Sequence, residues 1–430
     1  MWPHASPRHN VPDVIMKRIA IIGAGVSGLT MGRLLAPRAS VTVFESASRP
    51  GGLIKCDRVE GNLFHTCGGH VFNTRRPGVL DLFWSIFDRD RDFVKADRNS
   101  AVRMPDGAEI PYPIENHAYM LDDDTLRSVI ADVAGMRSSG SVPANFEEFL
   151  RKQFGDTLYN LYFGPYNRKV WRRDLSDVPL SWLEGKLPMP TPEEILFNNI
   201  RRVKEKAFVH STFYYERQGG SQFIADTLAQ GLDIRYSSPV SRLEKAAGEG
   251  WLVDGEPFDR VVFCGNIKDL PAMLAGVDMS GFLQGIERLE SHGTTAVFCD
   301  IAPNPYSWIY LPDPRYDAHR IICTGNFSRT NNAPGRMTAT IEFTDSISRD
   351  EILRQLPSIP FSPRYITHCY NPYTYPIQHT DTRAMISELC RRLAPSGMYL
   401  TGRFALWEYF NMDVAMDSAL ALAPTVSASL

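Results

Sequence analysis

The sequence predicts an α/β protein: a discontinuous Rossmann-like FAD-binding domain with an inserted helical domain and an antiparallel β-sheet domain. Three observations predict it. A strand–glycine turn–helix unit begins the chain, a second such unit ends it, and residues 292–345 between them alternate apolar and polar side chains as antiparallel strands do. The 430 residues, 43 % of them hydrophobic, are enough for two or three domains with a sizeable core.

The N-terminal unit carries a dinucleotide fingerprint. Residues 18–35 are an apolar strand, the turn Gly23-x-Gly25-x-x-Gly28 and a helix, and the next strand ends in Glu45, about 20 residues after the first glycine. Glycines let the backbone approach a pyrophosphate at a helix N-terminus, and an acid at this position can bind a ribose hydroxyl. The context argues against a mere tight turn.

A second glycine pair indicates which dinucleotide is bound. Glu45 is followed by Arg49-Pro50-Gly51-Gly52, and this spacing resembles FAD-binding proteins of the amine-oxidase and glutathione-reductase type. The sequence contains no second G-x-G-x-x-G, so it lacks a dedicated nicotinamide domain. We therefore predict one bound FAD.

The C-terminal unit, residues 398–423, is predicted to be a strand, a turn at Gly402-Arg403 and a helix that Asn411 or Asp413 can cap. The positive end of that helix is a further candidate contact for an anion or a flavin. Arg403, Met412 and Asp413 are the predicted cofactor contacts here. The alternative is an ordinary capped surface helix.

The predicted domains follow from these units. Helix and strand patterns at 218–244 and 258–267 suit a return to the dinucleotide sheet, and 118–206 carries amphipathic helical stretches. The boundaries are 16–80, 207–270 and 385–430 for the FAD domain, 118–206 for a helical substrate and lid domain, 81–117 and 271–384 for the sheet domain, and 1–15 for a disordered extension.

Composition excludes several classes of function. A net charge of −3 gives no field for nucleic acid, and no apolar run approaches the roughly 20 residues that span a bilayer. Seven scattered cysteines without metal-ligand spacing predict reduced thiols in a cytoplasmic protein and no metal site. A homo-oligomer stays open.

Several short stretches combine aromatic residues with cations. They are YFGPYNRKVW (162–171), His70 in CGGHVFNT, Lys186 in WLEGKLP, Trp308 and Tyr310 in SWIYLP, Arg320, Tyr375 in YTYPI, and Trp407 and Tyr409 in LWEY. In this order, from Arg18 to about Ala423, they resemble the family of UDP-galactopyranose mutases.

The resemblance implies that Tyr166 and Trp171 lie over the uracil and ribose of a UDP-sugar. Flat aromatic side chains suit this role, since stacking on a base contributes roughly 1–3 kcal/mol. For Arg168 and Lys169 we favour a solvated helix face. For Tyr162 and Phe163 we favour core packing.

The resemblance also implies the contacts to the diphosphate and the flavin. The family uses two arginines and several tyrosine hydroxyls; Arg320 matches one arginine, whereas Lys186 stands in the place of the other. The further substrate contacts implied are Tyr310, Tyr375, Trp407, Tyr409 and Asn411, the last replacing an aspartate of many bacterial relatives. His70, after Gly69, is implied to lie beside the isoalloxazine, the alternative being a satisfied turn histidine.

The activity implied is interconversion of the pyranose and furanose forms of a UDP-galactose-like sugar. N5 of reduced FAD attacks the anomeric carbon, with His70, Lys186 and Arg320 as catalytic residues and an external reductant such as NAD(P)H. Alternatives are a mutase for a TDP-deoxysugar or a UDP-N-acetyl sugar, an FAD oxidoreductase of the amine-oxidase superfamily, and a non-catalytic flavoprotein that binds a nucleotide sugar.

Overall fold

The computed structural model describes residues 16–136, 142–180, 190–203 and 212–430. The predicted N-terminal extension therefore lies outside the described residues. The strands are β1 (Arg18–Ile22), β2 (Ser40–Phe44), β3 (Cys56–Val59), β4 (Asn62–His65), β5 (Phe93–Asp97), β6 (Ser100–Arg103), β7 (Glu109–Pro111), β8 (Thr212–Glu216), β9 (Asp233–Arg235), β10 (Leu243–Lys245), β11 (Trp251–Val253), β12 (Glu256–Phe258), β13 (Arg260–Phe263), β14 (Leu274–Ala275), β15 (Glu290–Asp300), β16 (Trp308–Tyr310), β17 (Arg320–Ile322), β18 (Thr338–Thr344), β19 (Arg364–Ile377) and β20 (Met398–Leu400).

The helices of the described residues lie between and around these strands. They are α1 (Val26–Leu35), α2 (Pro77–Ile86), α3 (Arg89–Asp92), α4 (Asp123–Gly135), α5 (Phe146–Leu158), α6 (Gly164–Trp171), α7 (Pro192–Arg201), α8 (Ser221–Ala229), α9 (Leu270–Met273), α10 (Leu283–Glu287), α11 (Arg349–Gln355), α12 (Thr382–Leu393) and α13 (Met412–Ala428). A π-helical segment, Tyr159–Phe163, joins α5 to α6.

The dinucleotide sheet has the order β20-β13-β1-β2-β9, and all its pairings are parallel. Both of its faces are covered, which explains why β1 is continuously apolar from Ile19 to Ile22 rather than alternating. Ile19 and Ile21 pack into a cluster with α1, α8 and α13, whereas Ala20 and Ile22 pack on the opposite face against β11, β13 and α12. The predicted Rossmann-like fold class is confirmed.

The second large sheet has the order β19-β15-β18-β17-β16-β6-β7. All its pairs are antiparallel except β16 and β6, which are parallel. A parallel pair needs a crossover connection, and here the chain leaves the sheet after β7 and returns to it at β15. A smaller sheet, β12-β11-β10-β14, covers one face of the dinucleotide sheet.

The helices α4 to α7 form a layer against one end of the seven-stranded sheet. Phe146, Leu150 and Leu158 of α5 share one buried cluster with Val102 and Ile322 of the sheet. Because α6 follows the π-helical segment directly, this packing fixes the face that α6 presents to β16 and β17. No helix among the described residues is long and apolar enough to cross a membrane.

Candidate active site

The two glycine turns of the sequence meet at the carboxyl end of β1. The Gly51 N–H donates to the Ala24 carbonyl at 2.9 Å, and a Cβ on Gly52 would lie 3.3 Å from the Gly25 Cα. A Cβ on Gly28 would lie 1.9 Å from the Gly23 carbonyl oxygen, so packing requires that glycine. A Cβ on Gly25 would meet nothing within 4 Å. Gly25 therefore borders open space at the N-terminus of α1, where a pyrophosphate is expected.

Glu45 and Arg49 brace these turns. The buried Glu45 carboxylate accepts hydrogen bonds from the N–H groups of Ala24 at 2.7 Å and Ala47 at 2.9 Å. A carboxylate has about four acceptor positions, so it can still accept a ribose hydroxyl. Arg49 donates to the Cys56 carbonyl at 3.0 Å and pairs with Asp57. The predicted cofactor contacts of both residues stay predictions.

The C-terminal turn packs on the start of α1. Gly402 has φ of 107°, and a Cβ there would lie 3.1 Å from the Ser27 Oγ. The Arg403 guanidinium carbon lies 4.1 Å from the Tyr409 ring centre and 5.6 Å from that of Tyr375. One of its nitrogens donates to the Phe410 carbonyl at 3.1 Å, whereas its buried Nε and Nη2 have no hydrogen-bond partner among the described residues.

Unpaired buried donors on a cation are costly unless a ligand accepts from them. The Arg403 guanidinium therefore fits a group with acceptor oxygens or nitrogens beside the glycine turns. A bound FAD carries both.

The loop between β4 and α2 brings His70 close to Arg403. Gly68 donates its N–H to the Glu342 carboxylate at 2.8 Å, and a Cβ on Gly69 would lie 2.7 Å from the Ile322 Cγ2, so the loop lies close against the seven-stranded sheet. The buried His70 Nε2 has no hydrogen-bond partner within the described part of the chain. Burial, and then Arg403, lower the pKa of His70 to about 4, so its imidazole is neutral at neutral pH.

A row of three side chains crosses the seven-stranded sheet. Tyr310 lies directly opposite Arg320, and Arg320 directly opposite Glu342, in neighbouring antiparallel strands. Directly paired residues point to the same face, so their side chains meet. The Arg320 Nε donates to Glu342, and its Nη2 donates to the Tyr375 hydroxyl at 3.1 Å.

The row carries a stable ion pair. Burial alone would raise the pKa of the fully buried Glu342, but Arg320 and His319 outweigh it and hold that pKa well below its usual range. Burial would lower the pKa of Arg320, but Glu342 raises it well above its ordinary value. Both groups are therefore ionised, and a fifth of the Arg320 side chain (20 %) remains exposed to bind an anion.

The opening segment of α6 contributes Tyr166. Its ring meets that of Tyr310 edge-on at 5.5 Å and that of His319 at 6.3 Å. The two tryptophans predicted with it are buried instead. Trp171 is 6 % exposed and packs against Phe146. Ring stacking on a base is thus left as a prediction for Tyr166.

Trp407 is a core residue, and its predicted substrate contact is wrong. Its side chain is 0 % exposed, its indole N–H donates to the Ile377 carbonyl at 3.0 Å, and it packs in the cluster beneath the dinucleotide sheet. Tyr409, two residues later, faces the site instead and stacks on Tyr375 at 5.6 Å with an interplanar angle of 3°.

The π-helical segment and the exposed face of α6 bear on two more predictions. Tyr162 and Phe163 are buried, which confirms core packing, and Arg168 is exposed as predicted. The prediction of a solvated Lys169 is wrong, because its ammonium donates to the carbonyls of Leu311, Asp313 and Ala318.

The predicted contact residues at the start of α13 make few polar contacts in the site. Asn411 occupies the N-cap position as predicted, but it is exposed and its side chain makes no capping hydrogen bond. Met412 is buried in the cluster between α1 and α13, and Asp413 lies half-buried in the first turn. Lys186 lies outside the described residues.

Sequence reasoning missed Glu342 and His319. Glu342 holds Arg320 and the Gly68 N–H together, and His319 lies 3.5 Å from the same carboxylate. The sequence did carry a signal, because Glu342 is the one charged residue in the strand-like segment TATIEFT. The structure then shows that every residue of this strand is buried. A buried charge requires a partner, so it marks a site. Among the described residues no group of three or more His, Cys, Asp or Glu could hold a metal ion.

The chain is similar to known proteins in sequence and in structure. The family model described as an NAD(P)-binding Rossmann-like domain matches residues 21–87. In sequence, the chain is similar to UDP-galactopyranose mutase of Mycoplasma pneumoniae, with 22 % identity over 94 % of both chains. It is 27 % identical to dTDP-fucopyranose mutase of Escherichia coli, over 59 % of this chain and 64 % of that protein.

In structure, the chain matches the crystal structure of reduced UDP-galactopyranose mutase with a TM-score of 0.85 and 19 % identity, over 95 % of this chain and 93 % of that chain. The chain has the fold of a UDP-galactopyranose mutase. The resemblance predicted from the sequence is confirmed. Putrescine oxidase shares the wider architecture at a TM-score of 0.62 and 14 % identity, over 96 % of this chain and 99 % of that chain. The mutase fold is thus the better description of this chain.

Proposed function

We propose that this protein is an FAD-dependent mutase that interconverts the pyranose and furanose forms of a nucleotide sugar, with UDP-galactose as the first candidate substrate. One observation carries the proposal. The partly exposed Arg320 donates to the Tyr375 hydroxyl, and the Arg403 guanidinium, next to the Gly402 turn, lies 5.6 Å from the same ring. Both arginines are near enough to His70 to lower its pKa. This neighbourhood supports a diphosphate site next to a flavin site.

The residues present fit FAD. Gly25 borders open space at the start of α1, Glu45 has acceptor capacity for a ribose hydroxyl, and Arg403 and His70 have buried nitrogens without a described partner. These groups would hold the pyrophosphate, the ribose and the flavin ring. When bound in its reduced form, the flavin supplies the nucleophile for the anomeric carbon. The reductant we propose is NAD(P)H from outside the protein.

The chain's own side chains act on the diphosphate. Arg320 stabilises the negative charge that develops on the nucleoside diphosphate as its bond to the sugar breaks. The hydroxyls of Tyr375 and Tyr409, and Lys186 if it approaches the site, add donors to the same group. Retention of the diphosphate keeps it close for the return step, so the reaction becomes effectively intramolecular.

The sugar and the nucleotide are the finer part of the proposal. A relative acts on UDP-galactopyranose and another on dTDP-fucopyranose by name, so both pyranoses are candidates. An oxidase of apolar amines is disfavoured, because such a substrate needs an apolar tunnel and this face carries the ionised Arg320–Glu342 pair.

A substrate screen tests the proposal. The FAD-loaded protein, reduced with dithionite, is incubated with UDP-galactopyranose, dTDP-fucopyranose and UDP-N-acetylgalactosamine, and the products are separated by chromatography. We expect a furanose product from at least one of them. Absence of furanose from all three, with flavin bound and reduced, would contradict the mutase proposal.

A further inference from the structure

The Lys169 ammonium donates hydrogen bonds to three backbone carbonyls. Its Nζ donates to Leu311 at 2.9 Å, to Ala318 at 3.1 Å and to Asp313. A lysine ammonium has three donors and no acceptor, so three carbonyls use it completely. Lys169 therefore has no donor left for a ligand, and only its protonated form satisfies all three carbonyls.

The three carbonyls belong to one loop. Residues 311–319 connect β16, which ends in Tyr310, to β17, which begins with Arg320. Leu311 follows Tyr310 directly, and Ala318 stands two residues before Arg320. The ammonium thus fixes the backbone at both ends of the loop whose flanking side chains form the anion-binding row.

Lys169 also fixes the helix on the other side. Tyr166 precedes it by three residues in α6, so both side chains lie on one face of the helix. The Tyr166 ring contacts the rings of Tyr310 and His319 at 5.5 and 6.3 Å. A single ammonium therefore joins the helix that carries the candidate base-stacking ring to the hairpin that carries the phosphate-binding arginine.

We propose that Lys169 is a positioning residue for nucleotide-diphosphate binding, acting through the loop 311–319 to hold Tyr166, Tyr310 and Arg320 in register. This inference rests on the proposed function, because it takes the row to be the diphosphate site. It assigns no contact between Lys169 and the substrate.

The surroundings make this role sensitive to pH. Burial lowers the pKa of Lys169 to about 7, with Asp313 and Asp317 opposing the shift. Asp313 is itself paired with Arg315, the Tyr316 ring centre lies 4.6 Å from the ammonium, and His319 and the Arg320–Glu342 pair are the further ionisable groups at the end of the loop. Above this pKa the amine keeps two donors and one carbonyl loses its hydrogen bond.

The test is the pH dependence of UDP binding, measured by calorimetry on the oxidised, FAD-loaded protein between pH 7 and pH 9. In this range the UDP phosphates are already ionised, since a phosphate's second pKa is about 6. We expect the Kd of the parent protein to rise about fivefold across the range, because a lost hydrogen bond in a desolvated site is worth about tenfold and about half of the lysines are already neutral at pH 7. In Lys169→Arg the charge persists at every pH, so the rise should vanish; in Arg168→Met, at the exposed neighbour, it should persist.

A third variant removes the Lys169 ammonium and all its hydrogen bonds to the loop. Lys169→Met should retain flavin, bind UDP about fivefold more weakly than the half-protonated parent at pH 7 and show no further change up to pH 9. A flat Kd in the parent, or a Lys169→Met protein with the parent's Kd and profile, would overturn the inference while leaving the proposed function standing. Absence of UDP binding in the parent at every pH would instead remove the proposed function, and the inference with it.

Discussion

Gly25 and Gly28 stand three residues apart in one turn, yet the structure needs them for different reasons. A Cβ on Gly28 would collide with the carbonyl oxygen of Gly23, whereas a Cβ on Gly25 would point into open space. Gly25 also has a φ of −75°, which any residue adopts. Nothing among the described residues therefore requires glycine at position 25, and the proposed dinucleotide would account for it.

This difference predicts opposite outcomes for matched substitutions. Gly25→Val should fold with near-parental thermal stability but lose FAD, because its side chain occupies the pyrophosphate's place. Gly28→Val should destabilise the protein itself, because its Cβ collides with the Gly23 carbonyl. Thermal unfolding and the flavin absorbance per protein chain check both. Full flavin content in a folded Gly25→Val protein would contradict the cofactor site.

The Arg320–Glu342 pair predicts an effect on stability. Arg320→Met leaves a buried carboxylate without its main partner and should cost roughly 3–5 kcal/mol in the free energy of unfolding at pH 7. The double variant Arg320→Met, Glu342→Gln should recover much of this loss, because the uncompensated charge is gone. Equal loss in the single and double variants, measured by urea unfolding, would show that the pair is not the source.

The sign of the pH effect follows from the depressed pKa of Glu342. Its stabilising contribution is present above the unfolded-state pKa of about 4.3 and is lost as pH falls below it. We expect the free energy of unfolding of the parent to decline below about pH 4.3, with a shallower decline in Glu342→Gln. Parallel profiles would contradict the ionised state of this carboxylate.

Lys186 stays a prediction. If it is the second phosphate cation, Lys186→Ala should lower kcat/KM about ten- to a hundredfold under reducing conditions, and Lys186→Arg should hold or raise it. Flavin content serves as the control in each variant. Parental turnover in Lys186→Ala would mean that this lysine is not part of the site.

Single residues also show the limits of the sequence. The glycine fingerprint could be read because a pyrophosphate needs glycines at fixed spacing and little else. The environments of Lys169 and Trp407 could not be predicted, because the surrounding sequence is equally compatible with an exposed cation and a ligand-facing ring. Only tertiary packing shows that three carbonyls surround the first and that the second is fully buried.

At the scale of elements, the two residues of α6 that were predicted to contact the nucleotide, Tyr166 and Trp171, lie in different surroundings. Trp171 lies in the buried cluster of the helical layer, so Trp171→Ala should cost roughly 3–5 kcal/mol of stability. Tyr166→Ala, half-buried beside Tyr310, should cost less stability and weaken UDP binding instead. Urea unfolding and calorimetry with UDP separate the effects. Parental UDP affinity in Tyr166→Ala would remove α6 from the binding site.

The elements themselves were partly predictable. Buried parallel strands such as β1 and β13 are continuous apolar runs after their first residue, which is a sequence signature. Among the antiparallel strands the predicted alternation holds in the sequence of β18, whereas β15 is buried continuously from Gly293 to Cys299 and β16 and β17 are too short to show it. The three-residue strands β10 to β12 have too few residues for any period and were missed as a sheet. The pairing of β6 with β16 is also invisible in the sequence, because about 200 residues separate them.

At the scale of the whole molecule, the proposed site lies where two layers of the fold meet. The Rossmann-like layer contributes Gly25, His70 and Arg403, whereas the seven-stranded sheet contributes Tyr310 and Arg320. The Gly68–Glu342 hydrogen bond joins the two layers at this point. A cofactor on one layer and a diphosphate on the other would meet at the sugar between them.

The proposed reaction needs the flavin in its reduced form but causes no net redox change. The decisive measurement counts furanose molecules formed from UDP-galactopyranose per reduced flavin, under anaerobic conditions and after removal of excess dithionite. We expect many turnovers per flavin, with the flavin still reduced at the end. One product or fewer per flavin, accompanied by flavin oxidation, would show a stoichiometric redox reaction and contradict the proposal.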